Sequence, residues 1–360
     1  MSIRKTPGGR FRAQLKNGRQ FVGSRTFDTK KEASAWLKRE KAALDGGIDP
    51  RAGKERVSLV VERWLKVRES TVAPTTYRGD RNMVRLLPTS MKNVHLSAIS
   101  EREVARSFET LLAKGLADGS VVRYRASLSA FFAWCVREKL IASNPVTGVK
   151  VPKGSDEVAE MDPFSEYELE AAYLTWKMKD ERLADILLVM GWTGLRWGEV
   201  RAMQVANFVE VPTPGLMVRR SQPEGFAVKS TKGRSVRRVP LADRVLSIVR
   251  SFAEGKAPGD LLFTTRGGGQ LWRTHTVREL QWKKTGRGRR LHDLRHTAAC
   301  LWLSRGVEPG TVQAWCGHES IATTNRYLHF LGTDADKAGL NKLNDGLGSA
   351  GGARDARDGA

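Results

Sequence analysis

The chain has 360 residues, with 61 Lys and Arg against 39 Asp and Glu, giving a formal net charge of +22. That length predicts roughly two or three domains of about 100–200 residues, and 40% hydrophobic residues are enough to bury cores. The cationic excess points to a polyanionic partner, with nucleic acid ahead of an anionic membrane surface. No apolar run approaches the roughly 20 residues that a membrane span requires, and the basic start, Met1–Arg12, is not followed by the apolar stretch of a secretory signal. The expected location is therefore the cytoplasm. Cys135, Cys300 and Cys316 have neither CxxC spacing nor an even count, so neither a zinc site nor a disulfide framework is expected, and the three are read as small apolar core residues.

At the N-terminus, Phe11, Ala13 and Leu15 alternate with Arg10, Arg12, Gln14 and Lys16, the period of a strand. Asn17-Gly18 predicts a tight turn and Gln20–Arg25 a second strand. Thr29 and Glu32 form a capping box ahead of a helix whose face carries Ala33, Trp36, Leu37, Glu40 and Leu44, stopped by Gly46-Gly47. This predicts a small sheet with a helix packed on it, its basic face (Arg10, Arg12, Lys16, Arg19) offered to DNA. A linker at 48–55 follows.

From 56 to 150 the periodicity is helical. Val57, Val60, Val61, Trp64, Leu65 and Val67 form one stripe, and Pro74-Thr75-Thr76 opens a second helix toward Leu87. Ser100 and Glu103 cap a third helix with Val104, Phe108 and Leu112. Ser120 opens a long helix with Val121, Tyr124, Leu128, Phe131, Phe132 and Cys135, ended or closely followed by Asn144-Pro145. The aromatics read as core. Arg123 and Arg125 lie off the apolar face and are candidates for phosphate contact.

A second linker at 151–158 leads to a mixed segment. Ser165 and Glu168 cap a helix, and another begins at Leu183–Met190. Strand-like pieces lie near Phe208–Val211, Leu216–Arg220, Phe226–Val228 and Val236–Leu241, then a helix over Asp243–Phe252 and more helices toward Asn344. The Gly- and Asp-rich stretch 346–360 has the composition of a disordered tail.

Four stretches of this segment matter as a set: Thr193-Gly-Leu-Arg196-Trp-Gly-Glu199, Lys232 to Pro240, His292-Asp-Leu-Arg295-His296, and Gly317-His318 followed by Tyr327. Each alone is weak; Tyr327 by itself reads as a packed side chain, and His292 or His296 as a satisfied core histidine. Together they supply what cutting a phosphodiester without a metal requires. Arginine forks clamp the nonbridging oxygens, imidazoles move protons, a lysine protonates the leaving 5′-oxygen, and a nucleophile on the protein conserves the bond as an ester. The stretches contain neither a carboxylate cluster with metal-ligand spacing nor a GxxxxGK[ST] loop, so no metal, ATP or other cofactor is expected.

The order and spacing resemble the tyrosine recombinase family, whose phage and mobile-element members are integrases. HDLRHT at His292–Thr297, GHESIATTNRY at Gly317–Tyr327 and TGLRWGEV around Arg196 carry the resemblance over about Pro163 to Leu343. It implies phosphate activation by Arg196 and Arg295, roles for His292 and His318, Tyr327 as nucleophile and Glu199 as a buttress. It puts the general acid at Lys232, with Lys229 the close competitor. Cys316 stands where the family usually has Leu, and Trp197 where a smaller aliphatic is common. The helical part resembles the family's core-site binding domain, and the N-terminal unit the arm-site binding domain of larger integrases.

The expected fold is thus a multidomain α+β chain. An N-terminal sheet-plus-helix unit spans 1–50, and an all-α core-binding domain spans 56–150. A mixed, mainly α catalytic domain with a small antiparallel sheet spans 160–345, followed by a tail over 346–360. The resemblance implies a site-specific recombinase working through a 3′-phosphotyrosine and a four-way junction, as a homotetramer on two double-stranded DNA sites, with accessory bending or directionality proteins as further partners. The segment 333–344 would reach a neighbouring protomer. A type IB topoisomerase-like enzyme and a non-catalytic DNA-binding regulator are the competing readings.

Overall fold

A computed structural model describes residues 2–17, 20–46, 52–152, 161–230, 236–328 and 340. Outside them lie Gly18, Arg19, Gly47, Lys232, half of the first predicted linker and most of the second, the segment 333–344 apart from Leu340, and the tail. The chain divides into two compact units, 1–159 and 160–360.

The first unit holds two cores. A three-stranded antiparallel sheet, β1 (Ser2–Lys5), β2 (Phe11–Asn17) and β3 (Gln20–Phe27), packs on α1 (Lys30–Asp45). Ala13, Leu15, Ala33 and Leu37 close the seam between them. The predicted Thr29/Glu32 capping box is formed, and the C-cap is Gly46. Strand β1 was not anticipated, because its SIRK sequence has one apolar residue and half-exposed packing. Its register pairs Arg4 with Arg12, which puts both on the face opposite Ala13 and Leu15. Asn17, expected in the turn, is instead in β2, paired with Gln20.

The helical part comprises α2 (Val57–Thr71), α3 (Pro74–Leu86), the single turn α4 (Thr89–Lys92), α5 (Glu101–Ala113) and α6 (Asp118–Arg137). Trp64 packs edge-on to Phe131 with ring centroids 5.5 Å apart, and Phe108 edge-on to Tyr124 at 6.1 Å. Three expectations shift. Val67 is 43% exposed and leaves the α2 stripe. Helix α6 begins two residues before Ser120, with Ala117 as N-cap. Arg125 turns onto the main chain: Nε donates to Val149 O at 2.7 Å and Nη2 to the carbonyls of Val146 and Thr147, tying α6 to that loop. Arg123 is exposed.

The second unit is built round α8 (Glu181–Thr193), buried at nearly every position from Leu183 to Thr193, as befits a helix apolar on all sides. Helix α7 (Glu166–Lys177), capped by Ser165 and Glu168, crosses it so closely that a Cβ on Gly191 would lie 2.8 Å from Leu169 Cδ2. The short helix α9 (Trp197–Ala202) leads to an antiparallel sheet of β4 (Phe208–Val209), β5 (Gly215–Val218) and β8 (Arg237–Pro240). Beside it, β6 (Arg220–Ser221) pairs with β7 (Lys229–Ser230), so the strand expected at Phe226–Val228 begins three residues later. Then come α10 (Asp243–Ala253), α11 (Arg273–Glu279), α12 (Trp282–Thr285), α13 (Asp293–Ser304), α14 (Pro309–Cys316) and α15 (Ile321–Asn325). Among the described residues no helix is long and apolar enough to cross a membrane.

Candidate active site

The candidate residues gather at the C-terminal end of α14. A helix end leaves its last carbonyls without intrahelical donors and carries partial negative charge. Here three arginines from three elements meet three successive carbonyls. Arg237 Nε donates to Trp315 O at 2.8 Å, Arg295 Nη2 to Cys316 O, and Arg196 Nη2 to Gly317 O at 3.2 Å. Gly317 closes α14 in the left-handed region (φ +65°), and a Cβ there would lie 2.9 Å from Arg237 Cδ, so only glycine fits.

Each arginine is delivered by its local fold. Gly194 ends α8 with φ +61°, turning the chain so that Arg196 stands as N-cap of α9. Its carbonyl accepts from Arg295 Nη1 at 2.7 Å. Strand β8 alternates, and Val239, fully buried, shares its face with Arg237, so the sheet points that guanidinium inward. Arg295 lies one turn into α13 and is 2% exposed; desolvation pushes its guanidinium down to about 10, still protonated at neutral pH.

Glu199 binds the arrangement together. It is 2% exposed and accepts from Arg196 N–H (2.8 Å), Arg196 Nη1 (3.0 Å), Arg237 Nη1 (2.8 Å) and Arg237 Nη2 (2.7 Å). Burial pushes its carboxyl up, but the Arg237 hydrogen bonds and the charges of Arg237 and Arg196 outweigh it, so the carboxyl lies below its ordinary value. Glu199→Ala leaves two partly buried guanidinium groups without their anion, and is expected to cost about 3–5 kcal/mol by urea unfolding near pH 7. A folded-state pKa below the unfolded one stabilises above the unfolded pKa and is lost as pH falls through the folded value. The gap between variant and wild type should therefore close in acid.

Tyr327 follows α15 and is 1% exposed. Its ring stacks on His318, with centroids 5.9 Å apart and planes at 16°, and its Oη lies 2.7 Å from His296 Nδ1. Burial pushes the phenol up to about 12. His318 is fixed through Nδ1, 2.9 Å from the Thr324 hydroxyl. Burial, then the charges of Arg295 and Arg196, push its imidazole down to about 4, leaving it neutral. His292 is exposed and stands edge-on to His296 with centroids 5.0 Å apart.

The structure thus brings Arg196, Glu199, His292, Arg295, His318 and Tyr327 into one site. Lys229 lies in β7, paired with Ser221. Arg10 is ion-paired to Asp28 at 2.7 Å and Arg12 donates to Ser24, both on the exposed side of the N-terminal unit, where Lys16 is also exposed. Sequence reasoning missed Arg237 and His296. Arg237 sat inside a quoted stretch, and its alternation with Val239 was the available signal. His296 follows Arg295 directly, four residues after His292.

The sequence profile of the phage integrase family matches residues 163–332, and that of the phage integrase N-terminal domain matches residues 2–46. The tyrosine recombinase XerD of Staphylococcus haemolyticus is 26% identical over 295 residues, covering 76% of this chain and 94% of that protein. The integrase of Mycobacterium phage D29 is 25% identical over 351 residues, 91% of each. Among solved structures, the Tn1549 transposon integrase in complex with a circular intermediate DNA superposes with a TM-score of 0.67 at 17% identity, covering 80% of this chain and 99% of that one. A lambda integrase tetramer bound to a Holliday junction gives 0.59 at 16% identity, covering 88% and 95%. Fold and sequence together define an enzyme that transfers DNA strands. More narrowly, the chain belongs to the phage integrase family of tyrosine recombinases.

Proposed function

We propose that the chain cuts and rejoins two double-stranded DNA sites through a 3′-phosphotyrosine at Tyr327 and a four-way junction, integrating or excising a phage or mobile element. The convergence of Arg196, Arg295, His318 and Tyr327 on the end of α14 carries this reading. The two guanidinium groups clamp the scissile phosphate and stabilise the charge that develops on its oxygens. Neutral His318 and His292 donate to, or exchange protons with, the phosphoryl group. Glu199 and Arg237 hold Arg196 in place. Lys232, or failing it Lys229, protonates the leaving 5′-oxygen. Phosphate contacts supply most of the DNA affinity and make it steeply salt-dependent. By analogy with the lambda tetramer on its junction, the active unit is a homotetramer, acting in the cytoplasm and open to accessory bending proteins. The test is a nicked suicide site, incubated with EDTA and without ATP: a covalent protein–DNA adduct on a denaturing gel is expected, and its absence refutes the reading. Supercoil relaxation without two-site recombination would instead mark a topoisomerase-like enzyme.

The outer face of the N-terminal sheet, with Arg4, Arg12 and Lys16, is proposed to bind separate arm-type DNA. Arg10 sits beside it, and the helical part 56–150 is assigned to the core site. Deleting residues 1–50 should leave core-site cleavage within a few-fold of the full chain and cripple recombination between two different sites. Full two-site recombination by the truncated chain would refute the arm-binding assignment.

A further inference from the structure

The resemblance places the HxxR histidine at His292, and the site's imidazoles are expected to move protons or donate to the phosphoryl group. The geometry puts a different imidazole on the nucleophile. Tyr327 Oη is 2.7 Å from His296 Nδ1, while His292 packs edge-on against the His296 ring. On its far side, His296 Nε2 is 3.9 Å from Asp293 Oδ1. Asp293 is 4% exposed; its Oδ2 accepts from Arg290 N–H at 2.6 Å, whereas Oδ1 is buried without a hydrogen-bond partner among the described residues. Arg290 Nη2 stands 3.6 Å from that Oδ1. At 3.9 Å the Asp293 carboxylate is beyond hydrogen-bond reach of the ring. Its negative charge still favours the tautomer with the proton on Nε2, the nitrogen that faces it, which leaves Nδ1 to accept from the phenol.

We propose that His296, with the Asp293 carboxylate on its far side, is the general base for Tyr327, an inference that rests on Tyr327 being the nucleophile. As the Oη–phosphorus bond forms, the Oη–H bond breaks and its proton passes to Nδ1. The phosphorus–O5′ bond breaks, and the 5′-oxygen takes its proton from the lysine assigned above. In rejoining, the 5′-hydroxyl attacks and returns its proton to that lysine, the phosphorus–Oη bond breaks, and the tyrosine recovers its proton from Nδ1. The Asp293 carboxylate offsets the positive charge that the imidazole carries in between.

Two features make the base necessary and available. The phenol has an ordinary pKa of about 10, and burial raises it here, so phenolate is scarce at neutral pH. Burial, then the charge of His292, pushes His296 down to about 4, so its acceptor nitrogen is free before DNA arrives. The charged and titratable groups around it are Asp293, His292, Arg295 and Arg290 from its own helix and the residues leading into it, and Tyr327 and His318 from the chain after α14. A scissile phosphate brought among them adds negative charge, which strengthens the base at the moment of attack.

The test measures single-turnover adduct formation by the full chain on a nicked suicide site from pH 7 to 9. His296→Gln keeps a polar side chain of similar reach but cannot take a proton. It is expected to slow adduct formation by about 10²–10⁴, with a rate that climbs about tenfold per pH unit as phenolate replaces the missing base, while the wild type stays nearly flat. DNA affinity and thermal midpoint measured alongside should match the wild type. Asp293→Asn should slow the step by about tenfold. A His296→Gln rate within a few-fold of wild type, or a slow rate with a wild-type pH profile, overturns the proposal and makes His296 a packing residue. Tyr327→Phe runs in parallel. If it still forms adducts, the nucleophile assignment has failed; if it is inert while His296→Gln is normal, only the base assignment has.

Discussion

Tyr327→Phe is expected to form no covalent adduct at all, with DNA affinity and its salt dependence unchanged. The substitution removes one hydroxyl. The ring stays stacked on His318, and every cation that could meet a phosphate is retained. The cost is the Oη–His296 hydrogen bond, a loss of about 1–3 kcal/mol because Nδ1 is left unpaired in a largely buried site. A correspondingly small drop in thermal midpoint is expected. Gel detection of adducts, run beside a fluorescence titration at two salt concentrations, checks both halves. Persistent adducts would pass the role to another tyrosine. Tyr124 and Tyr173 are poor substitutes, because Tyr124 is packed edge-on to Phe108 in the core of the helical part and Tyr173 already donates to Asp185 at 2.8 Å. Tyr167, 83% exposed on α7, would be examined first, then Tyr77.

What the sequence revealed follows the range of the interactions. The capping boxes at Thr29/Glu32, Ser100/Glu103 and Ser165/Glu168 formed where expected, because such a cap is decided within four residues. The two- to four-residue strands were harder to place. β7 at Lys229–Ser230 exists through its pairing with Arg220–Ser221, which local propensity does not encode. Arg125 looked like a free surface cation because its side of α6 is polar, yet its guanidinium turns onto carbonyls more than twenty residues later. The same limit holds in the site. Arg196, Arg295, His318 and Tyr327 stand in recognisable spacings. Arg237 and His296 matter only because α13, β8 and the chain after α14 meet at one helix end.

Arg295→Lys is expected to reduce the single-turnover cleavage rate at least 10³-fold, although charge is conserved. The guanidinium is almost fully buried and already gives Nη1 to Gly194 O and Nη2 to Cys316 O, so its plane is set by two main-chain segments, the end of α8 and the end of α14. Its position and orientation are thus fixed before DNA binds, and on the proposed reading the donors that remain are the ones that meet a phosphate oxygen. Loss of one such preorganised donor costs about 10²–10³ in rate. An ammonium is a point charge with three donors and no plane. Meeting both carbonyls would spend two of those donors, and the shorter reach would displace the third from the phosphate, which adds a geometric penalty to the lost hydrogen bond. Binding should weaken only slightly, because on the proposed reading most of the affinity comes from many other phosphate contacts. The two carbonyls keep a cationic partner, so the fold should lose no more than about 1–3 kcal/mol. Cleavage measured below the variant's own thermal midpoint separates that loss from the catalytic one. A cleavage rate within tenfold of wild type would mean that the buried guanidinium ties α8 to α14 and touches no phosphate.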